Sequence, residues 1–151
     1  MNQSFEIRKA EAGEGSTILA LVQDAYGKYI ERIGRPPLPM ADNYDALIGD
    51  GVVWVLVRDG EVLGVLVLRD NEDHLLLENV AVSPAFQGEG LGRQLLDYTE
   101  REARDRGYGE VRLYTNEAMT ENIALYEKWG YTETFRESGG FRRVFMSKRI
   151  P

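Results

Sequence analysis

The sequence contains no cysteine and only one histidine, His74. Without cysteine, a disulfide scaffold, a thiolate metal site and a cysteine nucleophile are all excluded. A single histidine also argues against a zinc site, because such sites usually draw on several His and Cys ligands. We therefore expect no metal.

Basic residues and long apolar runs are also scarce. Eighteen Lys and Arg stand against twenty-five Asp and Glu, for a net charge of −7, whereas a nucleic-acid binder normally presents a basic face to phosphate. No apolar run approaches the roughly 18 residues of a membrane span, and Met1–Arg8 has no apolar signal region. We expect a cytoplasmic protein that binds neither nucleic acid nor membrane, with residues 1–151 forming a single domain.

Apolar periodicity predicts the secondary structure. Runs rich in β-branched residues or with alternating polarity predict seven strands, at 5–8, 52–57, 61–68, 75–82, 111–115, 131–136 and 141–148. Apolar residues at helical spacing predict four helices, at 18–33, 41–48, 91–107 and 120–129. The order is β-α-α-β-β-β-α-β-α-β-β, an α+β domain with a mixed, mostly antiparallel sheet.

Turn residues refine this scheme. Asp59-Gly60 predicts a two-residue hairpin between two strands that are apolar on both faces and therefore central. Pro36-Pro37 ends the first helix and predicts a rigid, extended loop over 34–40. The last strand, 141–148, is expected at the sheet edge, where exposed Phe141, Phe145 or Met146 could support a homodimer.

The most informative segment is a glycine-rich turn between the fourth strand and the third helix. Glycine occupies every second position, at Gly88, Gly90 and Gly92. Glycines let the backbone approach a ligand, and the turn N–H groups with the positive end of the helix dipole form an anion site suited to a diphosphate. The spacing is neither Gly-x-Gly-x-x-Gly nor a P-loop. A plain tight connection between strand and helix stays the alternative.

Two segments resemble one family. Gln87-x-x-Gly90-x-Gly92, after a Val-Ala-Val-x-Pro strand at 80–84, is similar to the acyl-CoA signature of the GNAT superfamily of N-acetyltransferases. The run 122–131, with Asn122 and Ala-Leu-Tyr-x-x-x-Gly-Tyr, resembles a later segment of the same family. The element order is also the family's, so the resemblance covers nearly the whole chain. It implies a GNAT-like sheet of about seven strands flanked by about four helices.

The resemblance implies acetyl-CoA as co-substrate. The backbone of the glycine turn would hold the diphosphate, and a slot beside the fourth strand, where it leaves the fifth near Thr115, would hold the pantetheine arm. Asn122 would contact the cofactor through its amide, although it could equally be a polar residue on the helix surface. The implied cofactor-binding residues of the turn and strand are Val80, Ala81, Val82, Gln87, Gly88, Glu89, Gly90, Leu91, Gly92 and Arg93.

Catalytic roles are assigned on the same basis. By resemblance Tyr126 is the general acid that protonates the leaving thiolate; its alternative is simple packing. Glu78 is the candidate base, because alternation places it on the strand face of Leu76, Val80 and Val82, an apolar setting that favours proton uptake. Its alternative is an ion pair with a basic neighbour.

The acceptor side is less defined by sequence. Tyr26 and Tyr29 lie in the region that shapes the acceptor pocket in the family, although periodicity alone explains Tyr29 as core. Asn116 lies just past the fifth strand, where family members touch the acceptor, and could equally cap the next helix.

These assignments predict an acetyl-CoA-dependent N-acetyltransferase that acts on a primary amine. Without cysteine there can be no acyl-cysteine intermediate, so direct attack in a ternary complex is expected. The alternative is an acyl-CoA-binding sensor or regulatory module without turnover.

Overall fold

The computed structural model describes residues 4–151, which form a seven-stranded sheet with helices on both faces. The strands are β1 (Glu6–Lys9), β2 (Val53–Arg58), β3 (Glu61–Asp70), β4 (Leu75–Val82), β5 (Glu110–Asn116), β6 (Thr132–Arg136) and β7 (Arg143–Arg149). The α-helices are α1 (Gly15–Tyr26), α2 (Ile30–Ile33), α3 (Tyr44–Gly49), α4 (Leu91–Asp105) and α5 (Thr120–Lys128). Short 3₁₀ helices cover Gly27–Tyr29, Leu38–Ala41 and Pro84–Phe86.

The sheet has the order β1-β2-β3-β4-β5-β7-β6. Within residues 4–151, β4 and β5 form the one parallel pair of neighbours, and every other pair is antiparallel. The α+β class and the mixed, mostly antiparallel sheet are therefore confirmed. β2 and β3 lie inside the sheet, and the Asp59-Gly60 turn between them has positive φ at both residues, 53° and 76°, as the hairpin prediction requires.

Two apolar clusters hold the helices to the sheet. On one face α4 and α5 pack through residues such as Leu95, Leu96 and Tyr126. On the other face α1 and α3 pack through Ile18, Val22 and other residues. The α4 positions expected to be apolar at helical spacing are the buried ones, so the predicted amphipathic stripe of this helix is confirmed.

The predicted position of the last strand is wrong. β7 pairs with β5 on one side and β6 on the other, so the edge strand is β6. The hairpin after β6 returns the chain between β6 and β5. β7 therefore has a hydrogen-bonded strand on each side and has no free edge. Met146 is accordingly 1% exposed, whereas Phe141, in the hairpin, is 46% exposed. The last strand therefore offers neither a free edge nor an exposed Met146 to the expected homodimer.

The first long helix is interrupted. The predicted helix 18–33 consists of α1, a 3₁₀ turn that starts at Gly27, and the one-turn α2, which ends at Gly34 with φ +85°. Glycine is a weak helix former, which favours the break at Gly27. The loop expected to be extended also contains the 3₁₀ turn Leu38–Ala41, since the fixed φ of proline suits the first turn of a helix.

A bulge interrupts β4 at Glu78. Along the β3–β4 ladder, Val67 pairs with Asn79 and the next pair joins Leu68 to Leu77, so Glu78 is the extra residue. Simple alternation therefore fails here: Val80 packs on the α4 side of the sheet together with Leu77. The expectation that Glu78 shares an apolar face with Val80 and Val82 is wrong, because a bulge shifts the alternation by one residue.

Residues 4–151 contain no helix long and apolar enough to cross a membrane. In the same range, no group of three or more His, Cys, Asp or Glu side chains is arranged to hold a metal ion.

Candidate active site

Two adjoining cavities open where β4 and β5 separate. The two strands pair only over 75–77 and 111–113, and then diverge. One cavity, the large cleft, has a volume of about 490 Å³ and lies between the glycine turn, the end of β4 and α5. The other, the small cavity, has a volume of about 190 Å³ and lies between the β4 bulge, the end of β5 and the proline loop. Three side chains line both: Tyr26, Asn122 and Tyr126.

The glycine turn is built for backbone contact with a ligand. Gly88 has φ +87° and Gly90, the N-cap of α4, has φ +82°. A Cβ at either position would meet no protein atom within 4 Å, so glycine is needed there for its conformation and not for space inside the fold. The turn leaves the N-terminal N–H groups of a 15-residue helix facing the large cleft, an arrangement that binds phosphate.

Charged groups on the rim of the large cleft fit an anionic ligand. Lys28, Arg93 and Lys128 line it, and the Arg93 guanidinium lies 4.4 Å from the Trp129 ring centroid. The carboxylate on this rim, Glu121, is bound by Arg32, and the hydrogen bond from Arg32 lowers the pKa of Glu121 to about 2. The cleft therefore combines free amide donors, cations and a compensated carboxylate, which is the chemistry a diphosphate requires.

Most of the predicted cofactor-binding residues line the large cleft together. They are Val80, Ala81, Val82, Gln87, Gly88, Gly90, Leu91, Gly92, Arg93, Asn122 and Tyr126. Two others do not. The carboxylate of Glu89 points to Arg58, 3.2 Å away. Thr115 lines the small cavity instead, with its hydroxyl directed at the Met119 sulfur at 3.5 Å.

Tyr126, the predicted general acid, is placed on α5 in the wall between the two cavities. It is 6% exposed, and its ring packs against Tyr131 at a centroid distance of 5.9 Å. Burial raises the pKa of Tyr126 well above its ordinary value, with a smaller contribution from Tyr29. The phenol therefore keeps its proton throughout the physiological range.

Tyr26 is fixed in the same wall by buried hydrogen bonds. Its hydroxyl lies 2.6 Å from the Asn79 side-chain oxygen and 2.9 Å from the Val80 carbonyl oxygen. Asn79 in turn donates through Nδ2 to the Tyr44 hydroxyl at 3.2 Å. These bonds join α1 and α3 to β4 just after its bulge, so Tyr26 has a positioning role as well as a place at the small cavity.

Glu78, the predicted base, lines the small cavity beside Asn79. Both of its carboxylate oxygens accept from Nε of Arg69, each at 3.1 Å. Glu78 is therefore ion-paired with a basic neighbour, which is the alternative that the sequence left open.

The two remaining residues predicted on the acceptor side, Tyr29 and Asn116, lie in different cavities. Tyr29 is 2% exposed and lines the large cleft, with the Lys28 and Arg32 cations over its ring at 5.1 and 5.3 Å. Asn116 lines the small cavity, but its side chain accepts from the Ala118 amide at 2.8 Å and also donates to a carbonyl of the β6–β7 hairpin. Asn116 thus closes the turn that follows β5. The helix-cap alternative is wrong, because the N-cap of α5 is Met119 and no side chain caps it.

Sequence reasoning missed several residues that line the small cavity. Arg35 comes from the proline loop, Asp42 from the segment before α3, and Phe141 and Arg143 from the β6–β7 hairpin and the start of β7. Met119 is the N-cap of α5. Turn residues such as Pro36-Pro37 and Gly139-Gly140 indicate loops, but they do not indicate that these loops meet at one cavity.

Comparison with known proteins gives the same grouping. Residues 18–131 match the model of the acetyltransferase (GNAT) family. The chain is 33% identical over 78 residues to the ribosomal protein bS18-alanine N-acetyltransferase of Escherichia coli (strain K12), covering 52% of this chain and 53% of that protein. It is 31% identical over 90 residues to probable N-acetyltransferase 14 of Xenopus tropicalis, covering 58% and 44%. The chain thus spans about half the length of these curated relatives.

Solved structures agree in fold. The PaiA N-acetyltransferase of Thermoplasma acidophilum, in complex with coenzyme A, superposes with a TM-score of 0.81 at 17% identity, covering 97% of this chain and 99% of that one. The ribosomal-protein-S18-alanine N-acetyltransferase of Escherichia coli superposes with a TM-score of 0.75 at 22% identity, covering 97% and 94%. With the family model matched over most of its length, the chain belongs to the acetyltransferase (GNAT) family.

Proposed function

We propose that the protein transfers the acetyl group of acetyl-CoA to a primary amine by direct attack in a ternary complex. The observation that carries this proposal is the meeting of two cavities at Tyr126. One cavity has the chemistry of a diphosphate site and the other has carboxylates for an amine. Two substrates bound in these cavities would meet at one buried, protonated phenol.

The large cleft would hold acetyl-CoA. Its diphosphate would bind the N–H groups of the glycine turn with help from Arg93, and its pantetheine arm would run along Val80–Val82, where β4 has no β5 partner. Unpaired backbone donors on this part of β4 are available to stabilise the thioester oxygen as charge develops. Structural neighbours solved in complex with coenzyme A support this assignment.

Tyr126 is the proposed general acid. As the carbon–sulfur bond breaks, the leaving thiolate takes a proton from the Tyr126 hydroxyl. The raised pKa of Tyr126 keeps that proton in place until the thiolate forms. Attack on an acyl-enzyme is not needed, since the small cavity brings an amine to the same wall directly.

Glu78 stays the predicted base, in the small cavity. Its two oxygens are held by Arg69, so proton uptake by Glu78 requires this ion pair to open. The acceptor is proposed as an amine because the named relatives are N-acetyltransferases; one of them is named for an alanine of a ribosomal protein.

The experiment is calorimetric titration with acetyl-CoA, followed by an amine panel read out as release of the free thiol. Binding followed by amine-dependent thiol release is the expected result. Binding without release on any amine would favour a sensor or regulatory module that holds acyl-CoA without turnover. Absence of binding would overturn the proposal, because the large cleft would then not be an acyl-CoA site.

A further inference from the structure

The small cavity contains a carboxylate without a counter-ion. Its lining includes the carboxylates of Asp42 and Glu78 and the guanidinium groups of Arg35 and Arg143. Glu78 is paired with Arg69, and Arg143 with Glu137 at 2.9 Å. Asp42, by contrast, makes no ion pair within 4 Å in the part of the chain that the structure describes. Asp42 therefore presents to the cavity a carboxylate that no ion pair neutralises.

Asp42 is held in place by its neighbours. The Tyr44 hydroxyl, on a side chain that is 2% exposed, donates to the Pro39 carbonyl at 2.7 Å. The Asp42 amide lies 3.5 Å from the same carbonyl oxygen. On the other side, Asn43 caps α3 by accepting from the Ala46 amide at 3.1 Å. The backbone around Asp42 is thus fixed on both sides, which is what a group that recognises a substrate requires.

The charges around Asp42 favour a cationic ligand. Partial burial, followed by the negative charge of Glu78, raises the pKa of Asp42, and Arg69 opposes this shift. Tyr114 also faces this group. A bound cation would relieve the cost of an unpaired, partly buried carboxylate. A carboxylate with a raised pKa is also a better proton acceptor near neutral pH.

Much of the remaining lining of the small cavity is apolar. Aliphatic, aromatic and proline side chains contribute to it, among them Ile33, Pro36, Leu38, Leu77, Met119 and Phe141. A volume of about 190 Å³ accommodates a small molecule and not a folded partner. The cavity therefore suits an apolar or aromatic body that carries one ammonium group.

We infer that Asp42 binds the ammonium of the acceptor and accepts its first proton, and that the acceptor is a small primary amine on an apolar or aromatic body. This inference rests on the proposed function and assigns to Asp42 the step that the sequence predicts for Glu78. Unlike Glu78, Asp42 is not held in an ion pair that must open before the carboxylate can accept a proton.

The proton balance of the step is complete. The ammonium gives one proton to the Asp42 carboxylate, which later releases it to solvent. The amine lone pair then forms the carbon–nitrogen bond, and the carbon–sulfur bond breaks with its electron pair on sulfur. Sulfur takes the Tyr126 proton, and the second proton of the nitrogen restores the phenol. One proton leaves per amide formed.

The test measures amine binding and turnover separately. The probe is 2-phenylethylamine. Calorimetry with coenzyme A present compares wild type with Asp42→Asn and with the control Asp45→Asn, which removes an exposed charge of α3 that lines neither cavity. We expect Asp42→Asn to bind 2-phenylethylamine at least about tenfold more weakly. Coenzyme A affinity should be equal in all three.

Turnover is then followed as thiol release. We expect Asp42→Asn to lower kcat/KM for 2-phenylethylamine by about 10²-fold or more, Asp45→Asn to leave it unchanged, and Glu78→Gln to lose less than Asp42→Asn. The thermal midpoint of Asp42→Asn at pH 7 should not fall, because an unpaired carboxylate is removed.

Three results would overturn the inference: equal amine binding by wild type and Asp42→Asn, a larger loss in Glu78→Gln, or binding of peptide N-termini alone. If Asp42→Asn abolishes amine binding but wild type releases no thiol, the transferase proposal fails while recognition by Asp42 stands.

Discussion

The two cavities differ in the protein groups that form them. The large cleft is built mainly from backbone, with a positive-φ glycine turn, the N-terminus of α4 and the unpaired end of β4. The small cavity is built from side chains on three separate loops and a bulge. A ligand held by backbone places few demands on side-chain identity, whereas one held by side chains depends on each. Under the proposed function, the backbone of the fold would hold the acyl donor, and the side chains of the loops would select the acceptor.

The largest expected effect comes from Tyr126→Phe, which removes the hydroxyl at the wall between the cavities. We expect kcat to fall by about 10²–10⁴-fold while acetyl-CoA affinity is kept, since the ring still packs. Tyr131→Phe is the control, because the Tyr131 hydroxyl is buried without a hydrogen-bond partner and its ring contacts Tyr126. Equal kcat for wild type and Tyr126→Phe, with chemistry rate-limiting, would remove the acid role.

Gly90→Ala tests the backbone half of the comparison. A side chain at φ +82° costs about 1–2 kcal/mol, so relief of that strain by a shift of the turn should weaken acetyl-CoA binding by about 5- to 30-fold. Gly107→Ala is a matched control, since Gly107 also has φ +82° and open space around its Cβ but lies beyond the other end of α4. Calorimetry should show a loss of affinity only for Gly90→Ala. The same loss in both variants would mean that strain acts through global stability.

The contrast between those two glycines also shows what sequence could establish. The turn and the helix after it are contiguous, so the motif alone indicates Gly88, Gly90 and Arg93 at one site, and the structure places them there. Glu89 belongs to the same run but turns to Arg58, 31 residues away. That contact is set by the fold and has no local signal.

The small cavity, which is the proposed acceptor side, was harder to predict from the sequence because long-range contacts form it. The bulge at Glu78 shifts the alternation by one residue, and no glycine or proline in β4 signals it. β7 inserts between β5 and β6, an order that antiparallel hairpins alone do not specify. Asp42 and Glu78 line the same cavity, and the hydrogen bond between the Asn79 and Tyr44 side chains links their two segments. Long-range contacts decide this cavity, and a single sequence does not encode them as a pattern.

A smaller effect is expected from Arg93→Gln on the rim of the large cleft. Loss of a charge-assisted contact should weaken acetyl-CoA binding by about three- to tenfold at low salt. The difference from wild type should shrink as ionic strength rises, because Arg93 is exposed and its charge is screened. Arg101→Gln, on the same helix but outside the cleft, is the control and should bind normally. A loss that does not depend on salt would indicate packing on Trp129 instead of charge.

The smallest effect concerns the rim of the small cavity. Hydrogen bonds from the Arg143 side chain and backbone lower the pKa of Glu137 from its ordinary 4.5 to about 2. A depressed folded-state pKa adds stability above pH 4.5 that is lost as the pH falls toward 2. In acid unfolding followed by circular dichroism, Glu137→Gln should lose stability less steeply across this interval. If stability falls equally steeply with pH in wild type and Glu137→Gln, the Glu137–Arg143 pair does not contribute to stability.

The most direct test of the central account, two substrates meeting at one wall, is steady-state thiol release with acetyl-CoA and amine varied together. A ternary complex predicts intersecting lines in double-reciprocal plots and no acetylated protein when amine is omitted. Parallel lines, with an acetyl-protein that then acetylates the amine, would contradict it.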